Sequence, residues 1–432
     1  VAQVVPFFFK ELDRLDGLDD DARESVESDE VRENILQALD SFVARCTNFI
    51  APLLPEIVKR CGDLIKWDPN YCDDGEGDED EDEDDEYDDD MDDDSDVSWK
   101  VRKSAARCLV EAIRARPDQL NMFIAALISE QNPLLPSRFR ERVENVRLEV
   151  LEVFQALLEI SKISIPSDQR EEGSFALSST FAGGSFRMVV ESRPECKGFL
   201  PLKDTIVKSL LACARHKSPK VKLSAFTILR DLFILIGNDL ANSVPDCFEA
   251  ATQNLADPKL ALPQLRPEVL NFTRLLTAIT VRLLSHDDSY ENLLTHVEQS
   301  FPVVFKCAED RFFKTVVASL RVCSEYVAAV RMSANHEGLA KQLFSCVNAR
   351  LSTGDADQEV KRAAIDTMAK ILNFLEGSLK AVSGEIATAH QQILALLKSD
   401  TTRLAASKAV HQIVRCNIDA GIVKQYAAEL AT

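Results

Sequence analysis

Glycine and proline are scarce in this chain, 14 and 16 of 432 residues or about 7% together, where average usage is nearer 12%. Strand turns and phosphate-cradling loops both need glycine, so the shortage favours helices. The six histidines, His216, His286, His296, His336, His390 and His411, form no His-Glu-x-x-His pair. There is no Gly-x-x-x-x-Gly-Lys phosphate loop and no Gly-x-Ser-x-Gly elbow. Ala182-Gly183-Gly184-Ser185 is the compact glycine cluster of its region and reads as a flexible loop. These absences leave no catalytic, cofactor or metal site to argue for. No two of the 11 cysteines stand in a Cys-x-x-Cys, and most lie in apolar periodic segments such as Ala105-Ala106-Arg107-Cys108-Leu109-Val110. That usage predicts buried free thiols in a reducing compartment. No apolar run approaches the roughly 18 residues of a membrane span, and no signal peptide precedes the first predicted helix. The expectation is a soluble, intracellular chain. Val1 in place of Met, and a last stretch that stops inside a helical pattern, read as a fragment of something longer.

What the chain has in excess is negative charge, and it is concentrated in one place. The formal charge is −21, yet the 24 residues from Asp73 to Asp96 hold 19 carboxylates and no base. The remaining 408 residues carry 50 positive against 52 negative charges. The protein is therefore near neutral apart from one acidic run, which excludes a generally basic nucleic-acid binder. Such a run repels itself and buries nothing, so it is expected to be a disordered excursion. It lacks the spacing of an EF-hand loop. Besides conferring solubility, it would steer or compete for a basic partner, an effect that salt screens over about 10 Å.

A short pattern recurs along the whole chain: an apolar residue (Thr in the last copy), a base, two variable residues, then a small or branched apolar residue. The copies are Val31-Arg32-x-x-Ile35, Val101-Arg102-x-x-Ala105, Val146-Arg147-x-x-Val150, Val221-Lys222-x-x-Ala225, Leu265-Arg266-x-x-Val269, Phe313-Lys314-x-x-Val317, Val360-Lys361-x-x-Ala364 and Thr402-Arg403-x-x-Ala406. They are spaced by 70, 45, 75, 44, 48, 47 and 42 residues. The two long intervals contain the acidic run and a Ser/Gly-rich stretch at 164–197. Removing roughly 30 residues from each leaves the period of HEAT or armadillo repeats, about 40 to 48. The predicted fold is all-α, an α-α superhelix of antiparallel helix pairs, with about nine or ten repeats over 1–432.

Two amphipathic helices, at 357–379 and 383–399, illustrate one repeat. In the first, Val360, Ala364, Met368, Ile371, Leu372 and Leu375 follow the spacing of one helix face, with Lys361, Arg362 and Asp366 elsewhere. Such a face is buried only by stacking on the next repeat. Alanine at Ala105, Ala225 and Ala364 permits close helix crossing. An acid about five residues before the apolar position, Asp96 or Asp355, is placed to cap a helix start and to pair with the base, sometimes across adjacent repeats. The basic column thus has two readings, a structural ladder or a row of partner contacts. Trp99 either anchors the base of the acidic excursion or offers an aromatic contact.

Asp68-Pro69-Asn70-Tyr71, then the acidic run, then Asp96-Val97-Ser98-Trp99-Lys100-Val101-Arg102 resembles the cullin-associated, neddylation-dissociated family of HEAT-repeat proteins. Phe139-Arg140-Glu141-Arg142-Val143-Glu144-Asn145-Val146-Arg147, Asp357-Gln358-Glu359-Val360-Lys361 and Thr402-Arg403-Leu404 extend the resemblance from 68 to 404, while 164–197 matches poorly. The resemblance implies a non-enzymatic scaffold that wraps an unneddylated cullin with its RING-box subunit and competes with substrate-receptor adaptors. It would regulate receptor exchange among ubiquitin ligases, in cytoplasm and nucleus, without nucleic acid, membrane or small-molecule substrate. The chain would be a monomer covering an early-to-middle part of the array, and the adaptor-displacing element would lie outside it. The other readings are an importin-β-like transport receptor and a HEAT scaffold of a phosphatase. The near-neutral balance outside 73–96 argues against the first of these. The candidate partner-binding residues are Trp99, Lys100, Arg102, Arg147, Lys222, Lys361 and Arg403, expected on a concave surface.

Overall fold

The computed structural model describes residues 3–69, 97–131, 133–163, 198–258, 262–353, 357–380, 383–414, 423–424 and 426–428. The acidic run, the 164–197 stretch, and the expected capping acids Asp96 and Asp355 lie outside these residues. Among the described residues the protein is an all-α repeat fold with no strand. No described helix is long and apolar enough to cross a membrane. The chain divides into two compact units, residues 3–163 with 198–213, and residues 214–428.

The first unit contains α1 (Val4–Asp16), α2 (Asp20–Arg23), α3 (Val26–Arg45), α4 (Thr47–Ile50), α5 (Leu54–Ile65), α6 (Ser98–Ala115), α7 (Leu120–Leu127), α8 (Leu134–Arg138) and α9 (Glu144–Ile163). The helix α10 (Lys203–Ala214) ends it. Local chemistry sets several starts: the Asp19 side chain accepts from Ala22 N at 3.0 Å and Ser25 Oγ from Ser28 N at 3.2 Å, each satisfying an orphan amide of a first turn. Helices α3, α6 and α9, each carrying a copy of the motif, pack side by side. Phe154 on α9 sits edge-on to Phe139 at 5.4 Å and to Phe199 at 5.9 Å, which ties the chain on either side of 164–197 into one core. Gly198 belongs where it is because a Cβ there would overlap the Ile124 side chain.

The second unit contains α11 (Pro219–Ile236), α12 (Val244–Ala256), α13 (Leu265–His286), α14 (Glu291–Ala308), α15 (Phe313–Met332), α16 (His336–Ser352), α17 (Gln358–Phe374), α18 (Ser383–Leu396) and α19 (Arg403–Val414). The motif helices α11, α13, α15, α17 and α19 form a row, and the alternate helices back it. Within this unit the motif helices approach one another more closely than the alternate helices do.

The helix expected at 357–379 runs from Gln358 to Phe374 with a 3-10 turn at Glu376–Ser378, and its partner from Ser383 to Leu396. All six residues of the predicted stripe, Val360, Ala364, Met368, Ile371, Leu372 and Leu375, are buried. Asp357 caps this helix, accepting from Glu359 N at 2.8 Å. The closing apolar residue of the motif is buried in all eight copies. The opening residue differs in two of them: Phe313 is half-buried and Val31 is exposed. In α3 the inward positions next to Val31 are taken by Ser28, Asp29 and Arg32, which turns the valine out to solvent.

Polar groups are spent across the stack as well. Thr367 Oγ1 donates to Leu320 O at 3.0 Å, linking α17 to α15, and Ser319 Oγ to Val304 O at 2.7 Å, linking α15 to α14. Of the eight described cysteines, all free, six are buried, and burial pushes the Cys213 and Cys307 thiols up to about 11. His390 on α18 is buried, with Nδ1 2.6 Å from the Tyr426 hydroxyl, and burial lowers its pKa below the usual 6.5. Because the folded value is depressed, the neutral ring contributes stability above about pH 6.5 that is lost as pH falls through the lower folded value. A nuclear magnetic resonance titration of the His390 ring should give a midpoint below 6.5; a midpoint at or above it would contradict the buried, neutral imidazole.

Candidate partner-binding surface

The motif base sits within the first two turns of its own helix, where a cation opposes the helix dipole. Its side chain is therefore held by something else. Arg32 Nη1 donates to Arg23 O at 2.8 Å, Arg102 Nη1 to Trp67 O at 2.9 Å, and Arg147 Nε to Glu141 O at 2.6 Å. Arg266 Nη2 reaches Asp257 O at 3.2 Å and Arg403 Nε reaches Leu397 O at 3.1 Å. Each of these carbonyls lies at the last residue of the preceding helix or within three residues beyond it. All five arginine copies thus place a cation at the carbonyl end of the previous helix, where the dipole favours it and free carbonyls need donors.

The first unit extends this into a buried network. Arg32 is fully enclosed, pairs with Asp29 at 3.0 Å and Asp16 at 3.6 Å, and its guanidinium carbon stands 4.2 Å from the Trp67 ring centre. Trp67 Nε1 donates to Asp29 at 2.9 Å, and Arg23 lies 4.9 Å from the same ring. Arg102, also fully enclosed, donates to Ser98 Oγ at 2.9 Å and pairs with Asp68 at 3.5 Å and Glu141 at 3.4 Å. Glu141 is buried and also accepts from Arg138 and from Val143 N at 3.3 Å, while Asp68 takes Arg142 at 2.8 Å. Glu141 stands five residues before Val146, the place expected for the capping acid, and bridges two successive motif helices. In the second unit Arg266 reaches across the repeat to Asp310 at 2.9 Å.

This geometry sorts the predicted partner residues. Arg102 was expected on a surface and is instead an interior rung, fully enclosed with both of its Nη atoms directed at the protein's own acceptors. Arg147 is half-buried, with Nε committed to Glu141 O, and shares Glu141 with Arg102. Arg403 is exposed and pairs with Asp400 at 2.8 Å. Lys222 on α11 and Lys361 on α17 are half-buried. Trp99 is half-buried, with Lys100 Nζ 5.9 Å from its ring centre. The structure joins Arg102 and Arg147 through one residue, Glu141, whose carboxylate pairs with Arg102 and whose backbone carbonyl accepts from Arg147, and leaves Lys222, Lys361 and Arg403 on three separate helices. Sequence reasoning missed Trp67, the aromatic that the network is built around. Its signal was its place beside Asp68 at the head of the acidic run.

No group of three or more metal-ligating side chains occurs among the described residues. A family model described as CAND1-like, TPR repeats matches residues 238–368. The motif spacings there, 48 and 47 residues, are longer than the 34 of an ordinary TPR and nearer to HEAT. The chain is 33% identical over 396 residues to cullin-associated NEDD8-dissociated protein 1 of Arabidopsis thaliana, covering 89% of this chain and 30% of that protein. The Dictyostelium discoideum protein of the same name is 29% identical, with 91% and 30% covered. Cullin-associated NEDD8-dissociated protein 1, C-terminal part, of Emericella nidulans is 25% identical, with 97% and 47% covered. By sequence, this chain is similar along about nine-tenths of its length to cullin-associated NEDD8-dissociated proteins, and it spans 30% of the length of the Arabidopsis and Dictyostelium relatives.

Proposed function

We propose that this chain is a non-enzymatic helical-repeat scaffold that binds an unneddylated cullin with its RING-box subunit and takes part in regulating cullin-RING ubiquitin ligases. The observation that carries the reading is the likeness to cullin-associated NEDD8-dissociated proteins along nine-tenths of the chain. Within each unit, the tightly packed row of motif helices supplies a surface of the kind that repeat arrays offer to elongated partners. Competition with substrate-receptor adaptors, a monomeric state and a cytoplasmic and nuclear location belong to the same proposal. The contacts would come from the exposed or half-exposed bases of the row, Arg147, Lys222, Lys361 and Arg403, with Lys100 and Trp99.

The test is recovery of a purified cullin, unmodified and neddylated side by side, on the immobilised chain. Unmodified cullin should be retained and the neddylated form lost. Charge reversal at both Arg147 and Lys222 should weaken recovery about tenfold or more, the loss of two to three charge-assisted contacts, with the circular dichroism spectrum unchanged. Equal recovery of wild type and double variant would return the whole basic column to a structural role.

A further inference from the structure

A second set of bases follows the first along the row in the second unit. Arg230 on α11, Arg274 on α13 and Arg321 on α15 recur at 44 and 47 residues, the repeat period, seven or eight residues after each motif base. Together with Asn271 they line a pocket of about 150 Å³ whose apolar lining includes Ile234 and Leu275. No carboxylate lines it. The acids that fix two of the arginines stand outside the lining. Arg230 pairs with Glu268 at 2.7 Å and Asp231 at 3.4 Å, and Arg274 Nε donates to buried Glu325 at 3.1 Å. Arg321 is exposed and, among the described residues, has no carboxylate within ion-pair distance, its field being felt by Asp366 on α17. One exposed guanidinium and two anchored ones therefore converge on a space the size of a single side chain.

We propose that this pocket binds an oxyanion side chain, carboxylate or phosphate, carried by an extended acidic segment of a protein partner. A guanidinium fork matches a planar carboxylate or a phosphate with two parallel hydrogen bonds, and arginines held in place by buried acids lose little freedom on binding. Ile234 and Leu275 suit the methylene stem of such a side chain. Adjacent helix axes lie about 8–10 Å apart, the distance that three residues of a polyproline II chain span at about 3.1 Å each while returning to the same face, so acids spaced three apart on such a segment would meet successive helices. The proposal rests on reading the chain as a partner-binding scaffold and does not require the partner to be a cullin.

The experiment uses the full 432-residue chain and fluorescein-labelled octapeptides read by anisotropy. The peptides carry Glu, phosphoserine or Gln at every third position, and a ten-nucleotide uridine RNA is run beside them. The Glu or phosphoserine peptide should bind, the stronger of the two naming the source of the oxyanion, and the Gln peptide should bind at least about tenfold more weakly. Arg321→Ala, which strands no buried acid, should weaken the binding peptide about tenfold, while Arg362→Ala on the exposed face of α17 should not. Equal binding of the Gln peptide, indifference to Arg321→Ala, or RNA binding with the same dependence on Arg321 would overturn the proposal. Cullin recovery lost while peptide binding persists would remove the cullin reading and leave the pocket. Cullin recovery intact with no peptide binding would do the reverse.

Discussion

Arg102→Ala should lower the free energy of unfolding by about 4 kcal/mol, the cost of stranding buried charge. At roughly 2–4 °C per kcal/mol for a body of 150–250 residues, the melting midpoint should fall by roughly 10 °C. The effect is large because of what remains rather than what is removed. Glu141 and Asp68 are left buried with one guanidinium fewer, Ser98 Oγ loses its donor, and the Trp67 carbonyl is left without the cation that caps it. Arg102→Lys should recover only part of the loss, since a single ammonium cannot meet a backbone carbonyl, a hydroxyl and two carboxylates from one stem. Urea denaturation of the three proteins checks this. A change within about 0.5 kcal/mol, the range of ordinary surface substitutions, would show that the network is ornamental to stability.

Ala364→Asp should cost as much in the other unit. Ala364 is completely buried on α17 where it packs between α15 and α19, and an ionised carboxylate there has neither water nor a donor. The expected loss at pH 7 is about 4 kcal/mol or more. The pH dependence separates charge from crowding. A buried aspartate has a raised folded pKa, so its protonated form is tolerated below the unfolded value of about 3.9 and its penalty grows as pH rises through the folded value. The gap between variant and wild-type melting temperatures should therefore be wider at pH 7 than at pH 4.5. Ala364→Leu, which adds volume without charge, should show a gap independent of pH. An unchanged melt for the aspartate variant would remove Ala364 from the core.

The stacking of helix pairs was legible because it rests on a period that survives insertion: once 73–96 and 164–197 are set aside, the motif recurs at the length of one helix pair. The stripe on α17 was legible for a similar reason, since 3.6-residue periodicity over Val360 to Leu375 depends on no distant part of the chain. The burial of Arg102 was not. A lone arginine in a sequence reads as surface, and only its partners make it interior. Those partners lie 35 and 39 residues away, one of them on the far side of the acidic run. The acid column was half legible. Glu141 keeps the expected distance before its motif, but Asp68 reaches Arg102 from before the acidic run. Val31 failed as an inward residue because an ion pair and an indole claimed the positions beside it, which no hydrophobic pattern encodes.

Trp67 and Trp99 are the chain's two tryptophans, and both lie in the first unit. Indole emission is consequently a reporter on that unit alone, and Trp67, flanked by two guanidiniums and bonded to Asp29, reports on the arginine network itself. Far-ultraviolet dichroism, by contrast, averages over helices of both units. A heating experiment followed by both signals thus separates the two halves of the molecule without cutting it: Arg102→Ala moves the emission transition, whereas Ala364→Asp leaves the emission transition in place and moves the dichroism alone.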